Sequence, residues 1–172
     1  TITVSLNEID AMAKKATRGA GYAWGIAEEA GRAMRWLESR GLPGLSALHR
    51  LLERGTTMGS PLLAGTSLAD RAHEIAQGKS LAATAVAEPL LVLPFAATAA
   101  RLAGRDVDLA AAGFRLRIAN GAVTLAGRDA LLASRVSDLT LGPTSTTMPA
   151  PSWPRMQGKR PSGSTPERSE ER

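Results

Sequence analysis

Two blocks of apolar residues with the period of an α-helix fill the N-terminal part of the chain and flank a glycine-rich turn. The first block opens on Ser5-Leu6-Asn7-Glu8, the form of a capping box, in which the serine hydroxyl and the glutamate carboxylate each accept the other residue's backbone N–H. Gly19 or Gly21 can supply the left-handed residue that ends this helix. The second block predicts a helix over about residues 22–40, which Gly41 ends.

Weaker signals continue the helical half of the chain. They predict a helix over residues 45–52, a loop over 59–65 and a helix over 67–78. The apolar run 90–93 lies between two prolines and fits a short buried strand, with a helix over 95–102 beside it. Periodicity alone does not decide this last assignment.

Strict alternation of apolar and polar residues predicts a β-hairpin over residues 114–126. Asn120-Gly121 supplies the two positive φ angles of a type I′ turn. The register that this turn sets places the branched residues on one face, as the opposed pairs Ile118 with Val123 and Leu116 with Leu125. Because a lone hairpin is marginal in water, further strands are expected over 107–109 and 136–141. The sequence therefore predicts an α+β fold, with a helical N-terminal half and a small antiparallel sheet in the C-terminal half.

The composition is that of one domain with a core, since 44% of the 172 residues are hydrophobic and 22% are charged. After Gly142 the chain consists mostly of Pro, Ser, Thr, Gly and charged residues. Such a segment buries too little apolar surface to offset its ordering entropy. We therefore expect a single α+β domain over residues 1–142 and a disordered tail over 143–172.

Charge and cysteine content narrow the function classes. Lys and Arg number 21 against 16 Asp and Glu, but part of this excess lies in the tail, so the charge of the body argues against a nucleic-acid partner. The absence of cysteine excludes disulfides, zinc thiolate sites and cysteine nucleophiles. We find neither a signal peptide nor an apolar run long enough to span a bilayer, and we expect a cytoplasmic protein that does not insert in a membrane.

The N-terminal half carries a dense set of short motifs. They are Ser5-Leu6-Asn7-Glu8, Lys15-Ala16, Arg18-Gly19-Ala20-Gly21, Trp24-Gly25-Ile26-Ala27-Glu28-Glu29-Ala30 and Arg35-Trp36-Leu37. In these motifs the chain resembles an uncharacterised bacterial family, the domain of unknown function 3726 proteins. The resemblance is dense over residues 5–45 and returns over 88–95. It implies no particular reaction.

The glycine-rich turn, residues 18–25, is the candidate ligand site. Its glycines do not follow a strand and do not lead into Lys-Ser/Thr, so neither a dinucleotide fingerprint nor a P-loop is present. The free N–H groups of the next helix can hold an anion beside a nearby cation. The ligand-binding residues would then be Arg18, Gly19, Gly21 and Trp24. The alternative is a structural turn, which needs glycine for its φ angles and for close packing of the two helices.

Other titratable residues offer weaker chemistry. Glu28 is a candidate general base, and the alternative is a surface ion pair with Arg32, four residues further on. One helix face also carries carboxylates and an imidazole at a spacing that can ligate a metal, at Asp70, His73 and Glu74. The other histidine, His49, lies on a different predicted helix, and no metal site is predicted.

Two function classes follow. The chain has no self-sufficient catalytic constellation, so whether it is an enzyme stays open, and no cofactor is predicted. We expect an accessory or partner-binding protein associated with catabolic enzymes, its partner being another protein or a second copy of the chain. The alternative is a small-molecule enzyme or binding protein for an anionic metabolite, with Arg18, Glu28 and the glycine-rich turn in its site.

Overall fold

The computed structural model describes residues 3–55 and 59–145. The helices are α1 (Leu6–Gly19), α2 (Trp24–Glu38), α3 (Gly44–Glu53), α4 (Pro61–Asp70), α5 (Ala72–Ala76), α6 (Leu93–Ala103) and α7 (Arg128–Leu131), with a 3₁₀ turn at Pro89–Val92. The strands are β1 (Leu81–Ala87), β2 (Val107–Ala111), β3 (Phe114–Ala119), β4 (Ala122–Ala126) and β5 (Arg135–Pro143). The fold is α+β, with most of its helices before the sheet, as the sequence predicts.

The strands form one antiparallel sheet in the order β1-β5-β2-β3-β4. The predicted hairpin is β3–β4, and its register pairs Leu116 with Leu125 and Ile118 with Val123. The two turn residues have φ angles of 50° at Asn120 and 74° at Gly121, the two positive values that a type I′ turn requires. The two further strands expected beside the hairpin are also present, as β2 and β5.

The first helix begins with the predicted capping box. The Glu8 N–H lies 3.2 Å from Ser5 Oγ, and the Ser5 N–H donates to Glu8 Oε2 over 2.7 Å. The backbone N–H of Ser5 thereby lowers the pKa of the Glu8 carboxyl below its ordinary value. Of the two glycines expected to close the helix, Gly21 has a φ of 93°, whereas Gly19 is the last residue of α1.

The loop expected over residues 59–65 is wrong. Ser60 precedes the first residue of α4, Pro61, and the helix runs on to Asp70. Proline suits the first position of a helix, because its missing N–H is not needed there and its φ angle is already helical. The helix expected over 67–78 is therefore two helices, α4 and α5, which meet at Arg71.

The strand considered for residues 90–93 is also wrong. Pro89–Val92 forms a 3₁₀ turn that leads directly into α6. Leu91 and Leu93 are fully buried there, so the continuous apolar run reflects burial on all sides and not a strand. A strand that the pattern did not predict, β1, consists of four alanines with one leucine, one threonine and one valine, and its alanine content gives it weak strand propensity.

Helix α6 joins the two halves of the core. It contacts α2, α4 and α5 as well as strands β2 and β3. Its approach to α4 is close, since a Cβ placed at Gly65 would lie 2.6 Å from Cγ of Phe95. Buried leucines of the sheet, Leu109 and Leu116, belong to the same apolar cluster as those of the 3₁₀ turn.

The predicted boundary at residue 142 falls inside β5. Pro143 pairs with Val107, and the Thr144 N–H donates to the Asp106 carbonyl over 2.9 Å. The predicted tail from residue 146 onwards lies outside the described residues. Within the described part of the chain, none of the helices has the length and apolar character needed to cross a membrane.

Candidate functional site

The glycine-rich turn carries Tyr22 into the protein core. Tyr22 is 7% exposed, and its hydroxyl lies 2.9 Å from Oγ of Ser60, which precedes α4. The Tyr22 N–H donates to the Thr17 carbonyl over 3.3 Å, and Nη1 of Arg18 donates to the Tyr22 carbonyl over 2.6 Å. The side chain of Arg18 thus stabilises the turn by binding a backbone carbonyl at its other end.

Of the two structural reasons expected for the glycines of this turn, the φ angles and close helix packing, only the first applies. Gly21 has a positive φ, so its conformation favours glycine. No atom lies within 4 Å of a Cβ placed at Gly19, Gly21 or Gly25. The expectation that these glycines permit close helix packing is therefore wrong.

The close approach of α1 and α2 occurs instead at Gly31. A Cβ placed there would clash with Oδ1 of Asp10 and lie 3.0 Å from the Asp10 carbonyl oxygen. At one end of the same contact, Nη1 of Arg35 donates to Oδ1 of Asn7 over 2.8 Å. Gly31 lies within a helical pattern, a signal of close packing that the sequence analysis did not use.

Two of the predicted ligand-binding residues line a groove along α1. We call it the α1–α2 groove; it has a volume of about 550 Å³ and is lined by Asn7, Asp10, Ala11, Lys14, Lys15, Arg18 and Trp24. Gly19 and Gly21 do not line it. Trp24, the first residue of α2, is 61% exposed.

The groove carries an excess of positive charge. Nζ of Lys14 lies 3.1 Å from Oδ1 of Asp10, so these two charges offset each other. Lys15 and Arg18 have no carboxylate partner among the residues that the structure describes. Two uncompensated cations therefore lie in the groove that Trp24 lines.

Glu28 lies outside this groove. Its carboxylate is 3.8 Å from Nη2 of Arg32, and the neighbouring Glu29 is 2.7 Å from Nη1 of the same guanidinium. The predicted i, i+4 pair is thus present as part of a surface ion-pair group.

The helix face that carries Asp70, His73 and Glu74 at metal-ligand spacing contains an ion pair to an arginine instead. Glu74 forms an ion pair with Arg71 at 2.7 Å, and this hydrogen bond lowers the pKa of Glu74. His49 lies 3.3 Å from Glu53 on α3. Within residues 3–55 and 59–145, no three His, Asp or Glu side chains are placed to hold one metal ion.

A buried carboxylate that the sequence analysis missed is Glu88, which is 1% exposed and has a φ of 44°. Arg50 donates to both of its oxygens, from Nε over 3.1 Å and from Nη2 over 2.9 Å. Arg54 adds an ion pair at 3.3 Å. Because both oxygens are engaged by guanidinium groups, Glu88 fastens α3 to the end of β1. A lone charged residue before an apolar run is the signal that could have revealed it.

The fold and the groove together define an α+β protein with a cationic, tryptophan-lined surface on its first two helices. A family model described as "Protein of unknown function (DUF3726)" matches residues 4–82. The match confirms the resemblance found in the sequence motifs, and it covers α1 to α5 with the first residues of β1. No curated protein and no solved structure matches the chain. The whole α1–α2 groove lies inside the matched residues.

Proposed function

We propose that this protein is a partner-binding protein, and that its α1–α2 groove docks an acidic segment of another protein. The observation that carries the proposal is the position of Trp24, 61% exposed and lining the same groove as Lys15 and Arg18. Tryptophan and arginine are the residues most enriched among those that dominate the energy of protein interfaces. Burying such an aromatic side chain contributes up to about 3 kcal/mol.

The charge of the groove supports an acidic partner. Lys15 and Arg18 have no carboxylate within ion-pair distance in the described structure, so a partner carboxylate would meet them without breaking an existing pair. Complementary charge of this kind raises the association rate and excludes wrongly charged partners. A symmetric dimer through the same groove would place these cations against their own copies, which is repulsive. This favours a different protein over a second copy of the chain.

The length of the groove supports a segment of polypeptide. Its lining follows α1 from Asn7 to Arg18, which at the helical rise per residue is roughly 16 Å. An extended strand of about five residues spans this distance. Such a segment would place an apolar side chain on Trp24 and acidic side chains near the cations of α1. That the partner is a catabolic enzyme stays a prediction.

The proposal is tested with a fluorescent peptide that carries several glutamates and one leucine, and with its glutamine counterpart. We expect the acidic peptide to bind the full chain and the neutral one to bind at least about tenfold more weakly. Trp24→Ala and Lys15→Gln should each weaken binding of the acidic peptide. The matched controls are Leu102→Ala, which removes a 59% exposed side chain on α6, and Arg128→Gln on α7, and both should leave binding unchanged.

Lys15→Gln is preferred to Arg18→Gln, because Arg18 also closes the turn through the Tyr22 carbonyl. Melting temperatures of all variants check that each one folds. Equal binding of the two peptides, or wild-type affinity in Trp24→Ala, would overturn the proposal. Absence of binding by the acidic peptide would overturn it as well.

A further inference from the structure

A second hollow lies near the opposite end of α2 from the α1–α2 groove. It is bounded by the C-terminal end of α2, helix α6 and the β3–β4 turn. We call it the arginine cleft; its volume is about 470 Å³. Its charged and aromatic lining consists of Trp36, Arg40, Arg101, Arg105 and Asp106. An adjoining hollow of about 250 Å³ shares Trp36 and Arg101 with it. Pro94 and Thr98 of α6 also line both hollows, so the two spaces adjoin along α6.

The guanidinium groups of the cleft lack carboxylate partners. The guanidinium of Arg101 has no hydrogen bond or ion pair with any described residue. Arg105 uses one of its donors on the Ala76 carbonyl, over 3.4 Å. The nearest acidic residue of the lining, Asp106, already accepts the Asn120 backbone N–H over 3.2 Å. The lining thus holds three arginines against one engaged carboxylate.

Arg40 contacts Trp36 and forms no ion pair with a described residue. Its guanidinium carbon lies 3.8 Å from the centroid of the Trp36 ring, and Nη1 donates to the Trp36 carbonyl over 3.2 Å. Burial lowers the pKa of Arg40, and no carboxylate contributes to the shift. The charge is partly desolvated and fixed, a condition in which an incoming anion is bound more strongly than at a fully hydrated surface.

Most of the remaining lining is apolar, with Thr98 and Asn120 as its polar members. It includes Pro94 and Ala97 from α6 and Ile118 and Val123 from the hairpin. A hollow of this size with an apolar wall and a few placed polar groups is typical of a small-molecule site. Nucleic acid is disfavoured, because the cleft offers one tryptophan whose ring Arg40 already covers.

We propose that the arginine cleft binds an organic carboxylate with an apolar body, the carboxylate meeting the guanidinium of Arg101 and the body resting on Pro94, Ile118 and Val123. Arginine suits this ligand, since its planar fork donates two parallel hydrogen bonds to a carboxylate. Arg40 and Arg105 add positive charge at the rim. The site differs from the glycine-rich turn, to which the sequence analysis assigned an anionic metabolite.

The test is calorimetric titration of the full chain with hexanoate, acetate and inorganic phosphate at millimolar concentration. We expect hexanoate to bind more tightly than acetate or phosphate, because only hexanoate can use the apolar wall. Arg101→Gln should weaken hexanoate binding at least about tenfold, and Arg101→Lys should restore part of it. Since the guanidinium of Arg101 has no partner in the described structure, neither variant should change the melting temperature.

Two controls separate this site from others. Arg128→Gln removes an arginine of α7 that does not line the cleft, and Trp24→Ala alters the α1–α2 groove; both should bind hexanoate like the wild type. Wild-type hexanoate affinity in Arg101→Gln, or no heat with hexanoate, would overturn the proposal. Phosphate binding as tight as hexanoate binding would overturn the assignment of an apolar carboxylate.

Discussion

The hydroxyl of Tyr22 lies 2.9 Å from Oγ of Ser60, 38 residues further along the chain, in the interior of the protein. This hydrogen bond joins the glycine-rich turn to the start of α4. The turn is thereby part of the core, although most of its residues face outwards. Its glycines and its arginine position the tyrosine, while its tryptophan, Trp24, is 61% exposed.

We expect Tyr22→Phe and Ser60→Ala to destabilise the protein by about 1 kcal/mol each, because each leaves a buried hydroxyl partner with one hydrogen bond fewer. The double variant should cost less than the sum of the two, with a coupling energy near 1 kcal/mol. Urea denaturation of the four proteins measures this cycle. Strictly additive losses would show that the two hydroxyls do not act together.

Gly31 and Gly25 lie on the same helix, and their substitution should have opposite effects. Gly31→Ala forces a methyl group against Asp10, so we expect a loss of about 2 kcal/mol from strain between α1 and α2. Gly25→Ala meets open space and should stabilise by about 0.5 kcal/mol through helix propensity. Urea denaturation midpoints of the two variants measure these stability changes. An unchanged midpoint for Gly31→Ala would show that α1 can shift away from α2 without loss of stability.

Local features of the fold could be predicted from the sequence, whereas the close helix contact at Gly31 could not. The cap at Ser5, the hairpin register and a left-handed glycine at position 19 or 21 follow from local chemistry, and all three were predictable. Which glycine lies against another helix depends on how α1 crosses α2, and no local pattern encodes that crossing. The same holds for α4, since Pro61 reads equally as a loop residue or as a helix start until its surroundings are known.

The Glu88 cluster yields a ranked prediction. Glu88→Gln leaves two arginines around an uncharged, buried amide, and we expect it to destabilise by about 3 kcal/mol. Arg54→Gln should cost about 1 kcal/mol or less, because Arg50 still holds both carboxylate oxygens. Arg50→Gln should fall between them. Thermal unfolding of the three variants tests the order, and a larger loss for Arg54→Gln than for Arg50→Gln would contradict it.

The capping box gives a pH-dependent prediction. The pKa of Glu8 is lower in the folded protein than its ordinary value, so this carboxylate stabilises the fold above its unfolded pKa, and the contribution is lost as the pH falls through the folded pKa. Glu8→Gln should therefore be less stable than the wild type at neutral pH and equal to it in acid. Urea midpoints across this range measure the difference. A gap that persists in acid would argue against a charge effect.

The end of β5 can be tested by two truncations. A chain ending at Gly142 loses the Pro143 pairing with Val107 and both Thr144 hydrogen bonds, to the Asp106 carbonyl and to Oδ1 of Asp108 at 3.0 Å. A chain ending at Ser145 keeps them. We expect the shorter chain to be less stable than the longer one by about 2 kcal/mol. Equal melting temperatures would place the domain boundary at residue 142, as composition suggests.

The candidate site was predictable only in part. Arg18 and Trp24 stood out because the motif around the turn combines charge, glycine and an aromatic side chain, and both line the α1–α2 groove. Lys14 belongs with them because α1 brings every third or fourth residue to one face. The arginine cleft was not predictable, since Arg40 follows the end of α2 and Arg101 lies on α6, and the two line one cleft only after α6 has packed against α2.

The family match stops at residue 82, in the second position of β1. The strand paired with β1 in the sheet is β5, whose residues 135–143 lie outside the match. A fragment cut at the edge of the match would keep only two residues of β1 and would expose the sides of α4 and α5 that pack against α6, so it would be prone to aggregate. Recombinant work on the matched segment therefore needs residues 83–145 as well, because they contain the rest of β1, helix α6 and strand β5.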